Sequence, residues 1–331
     1  VVAADADTEG KARVRRRDRP RVRYAVEYAA LVAGSRLLRL CPRRWVEALG
    51  RSAGVLLYYL LGSRRRIALR NLDLALAERV SPAEKRRIAR HALANLAFHF
   101  VDFLTYGKYA PEQLASLMDL QPEGRRLLDE VMAQGRGVIF LVSHFCHWEL
   151  LGIFFGTLEP YQWSVVAKPM HNARVDRWVN RVRALSRNRI IYSDEANLKV
   201  LRALRRGEGV AIVFDQDTSL SRGGVYTKFF GQDCVTTRAP ATFSLATGAP
   251  ILPVYCLPRP RGRFEVRVQP PLEFSPSGDR EADAQELTQL CNDTTEAYIR
   301  EHPQYYFWLH RRWKHRPPGS PAVYEDQVGG R

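Results

Sequence analysis

Cysteine is scarce in this chain and follows no pairing pattern. The five cysteines among 331 residues, Cys41, Cys146, Cys234, Cys256 and Cys291, are odd in number, scattered, and contain no CxxC pair. That spacing implies neither a zinc site nor a disulfide framework, and it fits a reducing, cytosol-facing location. Glycine-rich phosphate loops are missing too: no GxGxxG or Walker pattern occurs, so a nucleotide cofactor is unsupported. No apolar run reaches the ~20 residues of a spanning helix. The apolar stretches at 24–35 and 54–61 are short, and the first carries Glu27. No cleavable signal peptide, internal repeat or low-complexity segment is visible. Acidic residues are in deficit, with 35 Asp and Glu against 51 Lys and Arg, for a net charge of +16. Such a surplus suits a polyanionic partner: nucleic acid, an anionic membrane surface, a phosphorylated substrate or an acidic protein.

What is present divides into four stretches. Residues 1–22 form a charged, basic tail that reads as disordered. Residues 23–120 are mostly helical, and their two short apolar segments, rimmed by arginines, suit a bilayer interface. Ser81-Pro82-Ala83-Glu84 supplies an N-cap, a proline at the first helical position and an acid at the third, which starts a helix running through Phe103. Residues 121–316 alternate strand and helix, with strands expected at 138–142, 164–167, 189–192, 210–214, 251–256 and 264–268. Helices are expected at 123–134, 148–157, 173–186, 195–206, 239–247 and 281–301. This alternation predicts an α/β fold with a central mostly parallel or mixed sheet flanked by helices. Residues 317–331 read as a loose C-terminal tail.

The chemistry concentrates where strands end. The buried run at 137–142 is followed by His144-Phe145-Cys146-His147-Trp148-Glu149, a histidine past a strand end with a carboxylate four residues further on. An α/β protein places its chemistry at such ends, and an imidazole backed by a carboxylate can draw a proton from a hydroxyl. His144 is therefore the candidate base and Glu149 its orienting partner. Lys168, after the next strand, is placed to meet a phosphate or carboxylate oxygen. Asp215-Gln216-Asp217 puts two acids and an amide at another strand end, where they can hold sugar hydroxyls or brace a catalytic group; alone they supply too few oxygens for a hard cation. Arg238, beside an expected helix N-terminus, makes an anion site. The segment 304–317 interleaves aromatic residues with cations, which suits nucleic-acid stacking or a lipid headgroup.

Taken together, Ser143 to Glu149, Phe214-Asp215-Gln216-Asp217, Val225-Tyr226-Thr227-Lys228-Phe229-Phe230-Gly231 and the closing Trp308-Leu309-His310-Arg311-Arg312 resemble the late (secondary) acyltransferases of lipid A biosynthesis. These are the lauroyl and myristoyl transferases of the glycerophospholipid acyltransferase superfamily. The resemblance spans residues 30–324. It implies transfer of a fatty acyl group from acyl carrier protein to a hydroxyl of a lipid A precursor, without metal or cofactor. The site implied is the cytoplasmic face of the inner membrane, in single-pass or monotopic attachment, with no nucleic-acid partner. His144 and Glu149 would be the catalytic dyad, Asp215 and Asp217 an acceptor-side block, and Arg311 and Arg312 contacts to acceptor phosphate. Three positions depart from the pattern: His147 where relatives often have Asn, Lys168 where they often have Arg, and Lys228 where they often have Pro. His147 is thereby a second candidate base, and a lysine at 168 offers a point charge in place of a fork. The alternatives are acylation of another glycolipid or a phosphatidylinositol mannoside, a non-catalytic basic protein binding membrane or nucleic acid, and a metal-dependent hydrolase using His144, His147 and Asp215.

Overall fold

A computed structural model describes residues 21–324. Most of the expected basic tail, and residues 325–331 of the expected loose C-terminus, lie outside the described residues.

The chain opens with four helices, α1 (Arg21–Leu40), α2 (Arg43–Leu60), α3 (Gly62–Leu76) and α4 (Pro82–Phe103). The start of α4 is the one its sequence specifies: the Ser81 hydroxyl accepts from the Glu84 N–H at 3.2 Å, with Pro82 in the first turn. Helix α2 lies tightly on α4 because two glycines one turn apart face it. A Cβ on Gly50 would stand 2.6 Å from the Phe98 Cα, and one on Gly54 2.5 Å from the Ala94 Cα. Two short elements, α5 (Pro111–Ala115) and α6 (Pro122–Met132), bracket β1 (Met118–Leu120) and lead into the α/β region.

There, β2 (Val138–Val142), α7 (Trp148–Phe155), β3 (Trp163–Ala167), α8 (Ala173–Arg183), β4 (Arg189–Tyr192), α9 (Ala196–Arg205) and β5 (Gly209–Val213) alternate as the pattern predicts. A hairpin of β6 (Gly224–Phe229) and β7 (Gln232–Thr237) follows, then α10 (Ala239–Thr247), β8 (Ile251–Arg259), β9 (Arg263–Val268) and α11 (Arg280–Glu301). Seven strands form one sheet in the order β1-β9-β8-β2-β5-β3-β4, parallel throughout except where β9 runs against β8. Strand β2 is apolar at every position because both faces are covered. Phe140 and Val142 pack into one core, whereas Ile139 and Leu141 pack into the other.

Two elements depart from the sequence reading. Strand β1 is only three residues long, too short for a pattern. The β6–β7 hairpin stands where no strand is expected, because glycines at 223, 224 and 231 break up the strand pattern and favour a loop. Its two-residue turn, Phe230-Gly231, has positive φ at both positions (53° and 71°), the geometry that matches strand twist. Here the glycines shape the hairpin ends.

Among the described residues, no helix is long and apolar enough to cross a membrane. Helices α1 and α2 instead leave Leu37, Leu40, Trp45, Leu49, Leu56, Tyr59 and Leu60 exposed.

Candidate active site

Strands β2 and β5 are neighbours in register, with Leu141 opposite Ile212 and Val142 opposite Val213. Two residues beyond that last pair stand His144 and Asp215, so the register alone sets them level at the carboxyl edge of the sheet. The Asp215 carboxylate accepts two hydrogen bonds from His144, one from its backbone N–H at 3.0 Å and one from Nδ1 at 2.7 Å. The opposite ring nitrogen, Nε2, accepts from the Gln216 amide at 3.2 Å. Both contacts select the tautomer protonated on Nδ1 and leave an accepting lone pair on Nε2. Burial alone would push the Asp215 carboxyl up, but the His144 charge and hydrogen bonds outweigh it and hold the group below the ordinary carboxylate value. Asp215 is buried, while the His144 side chain keeps 20% of its surface exposed.

The closing aromatic segment pins this loop from above. Phe145 forms a bridge with Tyr306, the Cys146 N–H donates to the Tyr305 carbonyl at 2.9 Å, and the Phe307 N–H donates to the His144 carbonyl at 3.1 Å. The segment is anchored in turn by Asn71 of α3, whose amide donates to the carbonyls of Trp308 and His310, both at 2.7 Å.

Glu149 does not occupy the orienting position expected of it. Its carboxylate takes both prongs of the Arg183 guanidinium, at 2.8 and 2.6 Å. Burial would raise the Glu149 carboxyl, but the charge of Arg183 and its hydrogen bonds hold it low, and His144 adds a smaller pull. The spacing misled because residues 143–147 precede α7. Glu149 sits in the first turn of that helix, opposite the last turn of α8. His147, the second candidate base, is enclosed at 2% exposure beside Asp102 and Tyr106; burial drives its pKa far down. Cys146 is buried, and burial pushes its thiol up.

Two cavities adjoin beyond this loop, at Asp217 and Thr218. One, of about 370 Å³, is walled by apolar side chains of α7, β3 and β5, including Leu151, Phe155, Val165 and Val213, with His144, Glu149, Arg183 and Lys168 also on its wall. The other, of about 730 Å³, is cationic, lined by Arg64, Arg222, Arg311, Lys314 and His315. Asp217 and Thr218 belong to both linings. Asp217 holds His315 as Asp215 holds His144, through the backbone N–H at 3.0 Å and Nδ1 at 2.6 Å.

Of the expected binding residues, Lys168 and Asp217 thus face the apolar cavity, and Asp217 and Arg311 the cationic one. Asp215, Arg238 and Arg312 line neither. Asp215 stands behind the imidazole. Arg238 pairs with Glu281 at the start of α11. Arg312 is 2% exposed and ties the closing segment to the hairpin, donating to the Val235 carbonyl at 3.0 Å and the Thr236 hydroxyl at 2.5 Å. Its guanidinium is therefore a structural tie, not the phosphate contact expected of it. Among the described residues, no three or more His, Cys, Asp or Glu side chains gather as a metal site.

Comparison with known proteins identifies the family. The model of the bacterial lipid A biosynthesis acyltransferases matches residues 16–315. The chain belongs to that family. It is 28% identical over 285 residues to the lipid A biosynthesis lauroyltransferase of Escherichia coli (strain K12), covering 86% of this chain and 90% of that one. It is 26% identical to the lipid A biosynthesis palmitoleoyltransferase of the same organism, over 83% and 87% of the two chains. Its similarity to the phosphatidylinositol mannoside acyltransferase of Mycobacterium tuberculosis (strain CDC 1551 / Oshkosh) is shorter, at 26% over 63% of this chain and 68% of the other. The chain is thus an acyltransferase, and its candidate site contains residues that the sequence did not single out: Arg183 against Glu149, and Arg64 and Arg222 in the cationic cavity. None of these has a sequence neighbour that would reveal its partner.

Proposed function

We propose that this acyltransferase moves a fatty acyl group from acyl carrier protein to a hydroxyl of a lipid A precursor at the cytoplasmic face of the inner membrane. The observation that carries the reading is a His–Asp pair whose imidazole opens on an apolar cavity, which shares Asp217 and Thr218 with a cationic one. The acyl chain lies in the apolar cavity, with its thioester at His144. The acceptor's phosphate lies in the cationic cavity against Arg311. The acceptor hydroxyl displaces the Gln216 amide from Nε2, gives its proton to that nitrogen and attacks the thioester carbonyl. Collapse of the tetrahedral intermediate forms the ester and expels the carrier thiolate, which takes the proton from the imidazolium. Asp215 holds the tautomer and stabilises the imidazolium, while Glu149 adds a fixed negative charge nearby. General-base help of this kind supplies roughly 10²–10⁴ in rate, and positioning by the two cavities supplies more.

The basic surface steers both partners, since acyl carrier protein is acidic and the acceptor is phosphorylated, and its effect fades with salt. The exposed apolar side chains of α1 and α2, rimmed by arginines, rest in the bilayer interface without crossing it. Mass spectrometry of lipid A from cells with and without the gene tests the reading. Loss of one acyl chain in the deletion is expected, and unchanged lipid A would refute it. The similarity to phosphatidylinositol mannoside acyltransferases supports a second reading, acylation of a mannosylated inositol lipid. Offering both acceptors with one acyl donor separates the two.

A further inference from the structure

We propose that Gly152 gauges the length of the acyl chain, an inference that rests on the apolar cavity being the acyl site. Apart from Glu149, helix α7 is apolar, and Leu150, Leu151, Ile153, Phe154 and Phe155 are all buried. Gly152, in their midst, is only half-buried. Its exposed face is part of the apolar cavity wall, together with Leu151, Ile153 and Phe155 of the same helix. A mid-helix glycine weakens a helix relative to alanine, so its presence here calls for a local reason.

The space around it supplies that reason. A Cβ at Gly152 would meet one atom within 4 Å, Val165 Cγ2 at 4.0 Å, and Val165 itself lines the cavity. Gly156, one turn further on, is the opposite case, since a Cβ there would stand 2.6 Å from Asn188 Oδ1 and 2.7 Å from Ser186 Cβ. Gly156 is small because the interior is full. Gly152 is small where the interior is empty, and the emptiness is the cavity.

Its depth is also fixed by the helix. The Trp148 ring lies 5.1 Å from the His144 ring, at the reacting end. Gly152 is four residues further along, roughly 6 Å by helical rise. Beyond it the wall continues through Phe155 and Asn188, whose amide donates to the Gly152 carbonyl at 2.6 Å. A side chain at position 152 therefore enters the bore part-way down and shortens it without touching His144 or Asp215.

The test is a competition among decanoyl, lauroyl, myristoyl and palmitoyl carrier proteins in one reaction with a lipid A precursor, products being read by mass spectrometry. Each methylene that loses its place lowers the relative rate of a long donor roughly fourfold, from a burial worth of about 0.8 kcal/mol. Gly152→Ala is expected to shift the product ratio about fourfold toward shorter chains, and Gly152→Leu tenfold or more, roughly two methylenes' worth. Thermal melts accompany both variants. The alanine variant gains helix propensity, so it answers the question even if the leucine variant fails to fold. An unchanged ratio, or an equal loss for all chains in a folded variant, overturns the proposal. If the wild-type protein transfers none of the donors, the acyl-site reading has failed instead.

Discussion

Replacing Asp215 with asparagine exchanges one carboxylate oxygen for an N–H while keeping shape and size. In the native site the carboxylate accepts from both the His144 backbone and Nδ1. An asparagine can turn its carbonyl oxygen to one of those donors only. With the oxygen on the backbone N–H, its amide nitrogen faces Nδ1 as a donor and forces the imidazole proton onto Nε2. That nitrogen can then no longer accept a hydroxyl proton. The expected loss is the general-base contribution, on the order of 10²–10⁴ in kcat, or about 3–5 kcal/mol at 1.36 kcal/mol per tenfold. KM for either substrate should stay near wild type, because Asp215 lines neither cavity. The assay is initial-rate transfer from lauroyl carrier protein, accompanied by nitrogen NMR of His144 to report which ring atom is protonated. If Asp215→Asn keeps its kcat within about threefold of wild type, while Glu149→Gln loses it, the imidazole is oriented by Glu149 as the bare spacing suggested, and the pairing argued above is wrong.

Glu149→Gln should instead act mainly on stability. The folded carboxyl lies below its ordinary value, so its contribution is complete above about pH 4.3, the unperturbed value, and disappears as pH falls through the lower folded one. The variant leaves Arg183 unpaired and should be less stable at neutral pH by about 3 kcal/mol; urea unfolding should show the gap to wild type closing in acid, and a pH-independent gap would contradict it. Arg312→Ala should lower unfolding free energy by about 3 kcal/mol through unpaired buried acceptors, whereas Arg311→Ala, which loses a contact with the Tyr324 ring, should raise the acceptor KM about tenfold with a smaller stability change. Steady-state kinetics beside thermal melts distinguish the two arginines, and identical behaviour would refute the division. Leu49→Glu with Leu56→Glu should weaken sedimentation with anionic vesicles at least about tenfold by removing apolar contact, and undiminished binding would place the membrane face elsewhere.

Much of the fold was legible because the strands are buried on both faces and carry apolar runs, as β2 and β5 do, and because α4 announces its start with Ser81 and Pro82. The hairpin was not, since its glycines and the Phe230-Gly231 turn read as loop chemistry. The site was legible in its parts. His144, Asp215 and Asp217 each follow a strand and could be flagged one by one. Their pairing depended on β2 and β5 being neighbours, a fact of sheet order that lies 71 positions apart in sequence. The His144-to-Glu149 spacing was visible, but the competing partner Arg183 enters from another helix, 34 positions away. Arg312 read as a phosphate contact because it sits in a run rich in cations, and only the hairpin it ties down explains its burial.

The most direct test uses purified wild-type protein and His144→Ala, each with lauroyl carrier protein and a lipid A precursor in detergent micelles, the acceptor mass being read over time. The account predicts a gain of one lauroyl group with the wild type and at least about a hundredfold slower gain with the variant, which should still bind vesicles normally. Equal rates for the two proteins would contradict it.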